Sequence, residues 1–185
     1  MRFTLFYDGD LPPNGNAAQK NDIRAALHPQ IKDLWADPGL SEIKDVIDPN
    51  VTNGGQHLTT RNGFTFASVV HRHYHLRARI NIFMQRSGPA GHLIDGGDID
   101  NRLKTLFDAL AVPANQQQIP QRWNPAPHQA PLHCLLEDDR LITSVAVDTE
   151  RLLGPVPNQQ RVRLTIRVHL HAAKNIYAHQ LFLTP

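Results

Sequence analysis

Two stretches of strict alternation constrain this chain most. Over residues 161–172, Val162, Leu164, Ile166, Val168 and Leu170 fall on one side of an extended backbone, and Arg161, Arg163, Thr165, Arg167, His169 and His171 on the other. Over residues 70–84, Val70, Arg72, Tyr74, Leu76, Ala78, Ile80, Ile82 and Met84 alternate with His71, His73, His75, Arg77, Arg79 and Asn81. Period-two patterning specifies strands, with one face in a core and a cationic face outward. The second stretch reads as one strand, or as two joined by a bulge. Same-face residues of a strand lie about 7 Å apart. His71, His73 and His75 therefore do not easily ligate one ion, and a basic face for phosphate or a partner subunit is favoured over a transition-metal site.

Residues 2–7 alternate as a first strand, and residues 141–148 form a further short one. Turn and loop residues fill 8–16. Ile23, Ala26, Leu27, Ile31, Leu34 and Trp35 recur at helical spacing, with Pro29 inside the pattern predicting a kink or a break. Residues 41–47 add one or two helical turns, and 48–63 read as loop. Residues 99–111 predict a helix with Ile99, Leu103, Leu106, Phe107 and Leu110 on its buried stripe and Asp98 as its N-cap. Residues 112–131 are rich in proline and carry a Gln116-Gln117-Gln118 run. A loop this long inside a compact domain is functional or disordered. Trp123 at its middle offers a ring for stacking on unpaired bases, against the plainer role of ornament or subunit contact. The expectation is a single domain over 1–185 of the α/β (α+β) class, a small mixed sheet packed with helices, with 112–131 inserted.

Charge is distributed unevenly. Residues 61–94 hold Arg61, Arg72, Arg77, Arg79 and Arg86 and no acid; residues 151–185 hold Arg151, Arg161, Arg163, Arg167 and Lys174 and no acid. The whole chain carries only +2, so the remainder is net acidic. That split suggests an anionic partner beside an acidic site, or strands that simply carry arginine outward. The single Cys134 excludes an internal disulfide and a multi-cysteine zinc site. No apolar run approaches the roughly 18–20 residues of a membrane span, and residues 1–8 lack a signal-peptide pattern. A cytoplasmic protein is the expectation.

The acids form two clusters. Asp95, Asp98 and Asp100 stand at the start of the predicted helix, with Lys104 and Asp108 following on one face. Glu137, Asp138 and Asp139 precede the strand near Leu141. Taken singly, an aspartate at a helix start is a cap, and Asp100–Lys104 is a surface pair.

Taken together, the run DIDNRLKTLFDAL from 98 to 110, the acids at 137–139 leading into a strand, and the Pro12-Pro13-Asn14-Gly15-Asn16 loop after the first strand resemble, in order, the motifs of the RusA family of Holliday-junction endonucleases. The resemblance implies a homodimer that cuts branched or four-way DNA with Mg²⁺ or Mn²⁺. By motif, Asp98, Asp100 and Asp139 match the family's metal carboxylates, with Asp138 beside them, and Lys104 matches its catalytic lysine. Hard carboxylate oxygens suit such ions. Arg77, Arg79, Arg163 and Arg167 on the strand faces are expected to hold phosphates. Gly97 stands where the family usually carries a basic residue, leaving Arg102 or Arg140 to supply that contact. The alternative is a non-catalytic nucleic-acid-binding protein on the same fold, or an oligomerising protein whose arginine faces are interfaces. The tail 176–183 is apolar enough to pack against another element or subunit.

Overall fold

A computed structural model describes residues 1–88, 98–174 and 176. The expectations placed on Asp95, Gly97 and most of the tail 176–183 lie outside the described residues. A four-stranded sheet takes the order β1 (Arg2–Asp10), β7 (Arg161–Ala172), β4 (Leu76–Arg86), β6 (Ile142–Arg151), and a second sheet the order β2 (Leu58–Arg61), β3 (Phe64–Val70), β5 (Leu132–Leu136). Pairs β4–β6 and β3–β5 are parallel and the other pairs antiparallel. Helices α1 (Ala17–Asp33), α2 (Pro38–Ser41) and α3 (Asp98–Leu110) complete the fold. The class is α+β, as expected, but with two mixed sheets rather than one.

The alternation of β7 and of the 76–84 stretch does what its period requires. Leu76, Ala78, Ile80, Ile82 and Met84 of β4 and Val162, Leu164, Ile166, Val168 and Leu170 of β7 are all buried. They share one core with Ile23, Leu27 and Ile31 of α1 and with Leu106 and Leu110 of α3. Each of these side chains except Ala78 contributes about 2 kcal/mol by leaving water. Helix α1 starts at a capping box in which Asn16 Oδ1 accepts from Gln19 N and Gln19 Oε1 accepts from Asn16 N. It runs through Pro29 without interruption, so the expected break is absent.

The run from 70 to 84 is not one strand. Strand β3 ends at Val70 in the second sheet, residues Arg72–Tyr74 form a 3-10 turn, and His75 adopts a left-handed conformation (φ 51°) before β4 enters the first sheet. The polar–apolar alternation continues through the turn, although the backbone does not. Residues 48–63, expected as loop, contain β2, while β3 and β5 escape the alternation test because their residues are largely buried on both faces. The insertion 112–131 is ordered by packing. Trp123 lies with its ring centroid 4.5 Å from Phe64, and the loop closes a second small core of Phe66, Val112, Ile119, Leu132 and Cys134. Its indole is therefore a structural plug.

One buried cation ties α1 to α3. Arg24 is almost wholly enclosed, yet among the described residues no carboxylate forms an ion pair with its guanidinium. Nη2 donates to the carbonyl oxygens of Asp108 (2.8 Å) and Ala111 (3.1 Å), and Nε donates to Ala111 O (3.2 Å). These carbonyls belong to the last turn and exit of α3, where the helix dipole is negative and acceptors are otherwise orphaned.

Two predictions follow from buried polar groups. Arg24→Leu keeps apolar volume but strands those carbonyls, and is expected to cost about 3 kcal/mol in urea unfolding. Burial is the main cause holding His57 down to about 3 and His133 down to about 4. Both stay neutral in the fold, so their stabilisation is present above pH 6.5 and is lost as pH falls toward those values. Unfolding at pH 5 should show a loss of about 2 kcal/mol for each histidine relative to pH 7; equal stability at the two pH values would contradict this.

Candidate functional site

Three chain ends converge at the C-terminal end of the parallel pair β3–β5. Val112 N donates to Leu136 O (2.9 Å), joining the exit of α3 to β5, and Glu137 N donates to Val70 O (2.9 Å), extending the β3–β5 ladder. This brings Asp108 from α3, Arg72 from beyond β3, and Glu137, Asp138 and Asp139 from beyond β5 around one cleft of about 280 Å³. Arg61 from β2 and Arg140 complete its basic rim. Open sheets bind ligands at the carboxyl ends of parallel strands because divergent loops leave a crevice there.

Each acid is held differently. Glu137 accepts from Arg72 N (3.0 Å) and pairs with the Arg72 guanidinium, and His71 Nε2 lies 3.4 Å from its Oε1. His71 Nδ1 accepts from His73 N (3.1 Å), which places the ring proton on Nε2, facing Glu137. Glu137 is thus an anchor for the turn after β3. Asp138 caps the next turn, its Oδ1 accepting from Arg140 N (2.9 Å). Asp108 pairs with Lys20 Nζ at 2.7 Å. Asp139 is the one whose carboxyl is pushed up, first by burial, then by its hydrogen bond with Asp138 and the charges of Asp138 and Asp108. Crowded carboxylates repel one another, and a bound cation relieves that repulsion.

The other expected residues lie elsewhere. Asp98 is the first residue of α3; its side chain lies outside the described residues. Asp100 and Lys104 are exposed on α3 and do not line the cleft. Asp108 stands eight residues beyond Asp100, about 12 Å along the helix axis. Among the described residues, no group of three or more histidine, cysteine or acidic side chains is arranged to hold a metal ion. The donors are chemically suited to Mg²⁺, but the described side chains do not form its coordination shell. The expected proline loop does meet α3: Gly15 N donates to Thr105 Oγ1 (2.8 Å), and a Cβ at Gly15 would come within 2.6 Å of Thr105 Cγ2.

Of the arginines expected to hold phosphate, Arg102 is buried, its guanidinium donating to Leu11 O and to Gln159 O (3.4 Å). It supports two loops instead of facing solvent. Arg140 is exposed at the cleft. Arg163 is engaged by Asp8 at 2.8 Å, as is Arg161 at 2.7 Å. Arg77, Arg79 and Arg167 lie on the outward face of the four-stranded sheet, and Arg79 and Arg167 line a shallow groove there with Arg2 and His169. His169 and His171 are held below their ordinary pKa, first by desolvation and then by cations that include Arg79. The sequence reading placed Glu137 in the acid cluster but missed the cleft roles of Arg61 and Arg72. The abrupt end of the β-branched run at Val70 was the available signal for Arg72.

Comparison with protein-family models, with curated proteins and with solved structures finds no match to this chain. No helix among the described residues is long and apolar enough to cross a membrane.

The crowding at Asp139 has a measurable sign. Its raised pKa means that ionising it costs stability, and the cost appears as pH rises through its titration. Asp139→Asn should raise Tm at pH 7, with the difference vanishing below the ordinary carboxylate pKa of about 3.9. Mg²⁺ should raise the Tm of the wild type more than that of the variant.

Proposed function

We propose that this protein is a divalent-metal-dependent endonuclease acting on branched DNA, with Mg²⁺ or Mn²⁺ as its cofactor. The observation that supports the reading best is the cleft itself: Asp108, Asp138 and Asp139 crowded together, beneath a rim formed by Arg61, Arg72 and Arg140. Acids alone repel a phosphodiester, and arginines alone bind it without activating water. The two together suit a phosphate approached by cation and guanidinium at once. A bound divalent ion supplies water activation and charge neutralisation at the scissile phosphate. In this reading Asp138 and Asp139 hold the ion at the cleft; the motif resemblance assigns Asp98 and Asp100 to the same ion, although Asp100 does not line the cleft. Lys104, Arg79 and Arg167 contact the nucleic acid; the motif resemblance at 98–110 supports the role of Lys104, and the open groove on the sheet face supports those of Arg79 and Arg167.

Resolution of a four-way junction needs two matched cuts, which a two-fold dimer provides from one isologous interface. Strand β6 ends the four-stranded sheet with one edge unpaired among the described residues, and Val145 on it is 42% exposed. That edge is the proposed place for a second copy. A cytoplasmic location fits this activity. The second reading, nucleic-acid binding without cutting, is favoured by one feature: the sheet-face groove draws on none of the cleft residues.

The test is a labelled four-way junction incubated with Mg²⁺. Paired symmetric nicks, abolished by EDTA and reduced at least 100-fold in Asp98→Asn, Asp100→Asn and Asp139→Asn with binding retained, are expected. Salt-sensitive binding with no nick in either Mg²⁺ or Mn²⁺ would leave only the second reading, and absence of binding would defeat both.

A further inference from the structure

The outward face of the four-stranded sheet is more than a scatter of arginines. The pairing register arranges it in rows across the strands. Arg2 of β1 faces His169 of β7, which faces Arg79 of β4. In the next row, Thr4 faces Arg167, which faces Asn81. In the third, Phe6 faces Thr165, which faces Phe83, and Phe83 faces the exposed Asp148 of β6, so the acids of this face begin at its β6 edge below the cationic rows. Rows are about 7 Å apart and neighbouring strands about 4.8 Å apart. Three cations and a histidine therefore share one sheet face with two phenylalanines, Arg167 one row from the rings and Arg2, Arg79 and His169 two rows from them.

The charges of this face are sorted along the strands. In the fourth row, Asp8 neutralises Arg163, and it reaches Arg161 beyond. Arg2, Arg79 and Arg167 have no salt bridge to any described acid, and they surround an open groove of about 470 Å³. Phe6, at the edge of this patch, is 61% exposed. An exposed phenylalanine in a strand costs solubility and contributes nothing to the core. Its strand is nonetheless fixed, because Gln30 of α1 pairs with both backbone polar groups of Phe6, at 2.9 and 2.7 Å. The ring is displayed from a rigid backbone.

Cationic groups that bind phosphates, next to rings on which a base can stack, are the chemistry of single-stranded nucleic-acid binding. A duplex hides the faces of its bases within the stack and has no use for Phe6 and Phe83. We propose that this sheet face is a binding platform for single-stranded nucleic acid, with Arg2, Arg79 and Arg167 on the phosphates and Phe6 and Phe83 stacking on unpaired bases. The platform shares no lining residue with the acidic cleft. It extends the nucleic-acid part of the proposed function and does not depend on cutting.

The test is fluorescence anisotropy of a labelled single-stranded 20-nucleotide DNA and of the same sequence as duplex, in EDTA so that nothing is cut. The single strand should bind at least tenfold more tightly than the duplex. Phe6→Ala should weaken the single strand about tenfold while leaving the salt slope unchanged. Arg79→Ala and Arg167→Ala should each flatten that slope by about 0.7. Asp139→Asn should bind the single strand as the wild type does, even if cutting is lost. Duplex binding equal to or tighter than that of the single strand overturns the proposal. So does Phe6→Ala with unchanged affinity, even where the arginine variants lose binding, because it reduces the face to an unspecific cationic patch. Circular dichroism establishes that each variant is folded.

Discussion

The arrangement depends on Arg24. A guanidinium carried into the interior without a carboxylate in ion-pair contact among the described residues is costly unless its donors are satisfied. Here the backbone carbonyls at the exit of α3 supply the acceptors, and the helix supplies the negative end of its dipole. The same contact fixes where α3 stops. Ala111 and Val112 can then pair with Leu136, and β5 can run beside β3 with its acids at the far end. Remove the cation, and the three chain ends around the cleft lose their common reference.

The carboxylate of Asp108 is left for a different task. Its backbone carbonyl is taken by Arg24 and its side chain by Lys20, so one residue links these two cations of α1 to the edge of the acidic cleft. Lys20 offsets part of the charge that Asp108 brings to Asp139, and the remainder appears as the raised pKa of Asp139. The balance is local: it involves two residues one helical turn apart on α1, and one on α3.

How far the sequence could be read depended on periodicity. Strands β1, β4 and β7 and helix α3 announce themselves because each has one wet and one dry side, whereas β6 has no buried residue and shows only as a short apolar, β-branched run. Strands β3 and β5 have little wet side, so Phe64–Val70 and Leu132–Leu136 look like any short apolar run. Missing them meant missing the second sheet. The run from His71 to His75 misled for the opposite reason, since alternation of residue type continued where the backbone turned. Arg24 was invisible because a cation beside an apolar stripe ordinarily reaches solvent. The acids of the cleft were legible as a motif, but their arginine neighbours come from β2 and the end of β3, and only pairing in space brings Arg61 and Arg72 to them.

The contact between Val112 and Leu136 has a consequence for how such a chain can vary. It closes the long excursion from α3 to the end of β5, so the segment 113–131 is a loop whose two ends, at α3 and at β5, are already tied. Closing a longer loop costs only about 0.6 kcal/mol for each doubling of its length. The segment bearing Trp123 can therefore grow, shrink or be exchanged with little effect on where Glu137, Asp138 and Asp139 stand, provided that something still covers Phe64 and Phe66. In this molecule, length is free where the proline-rich segment lies and fixed where the acids lie.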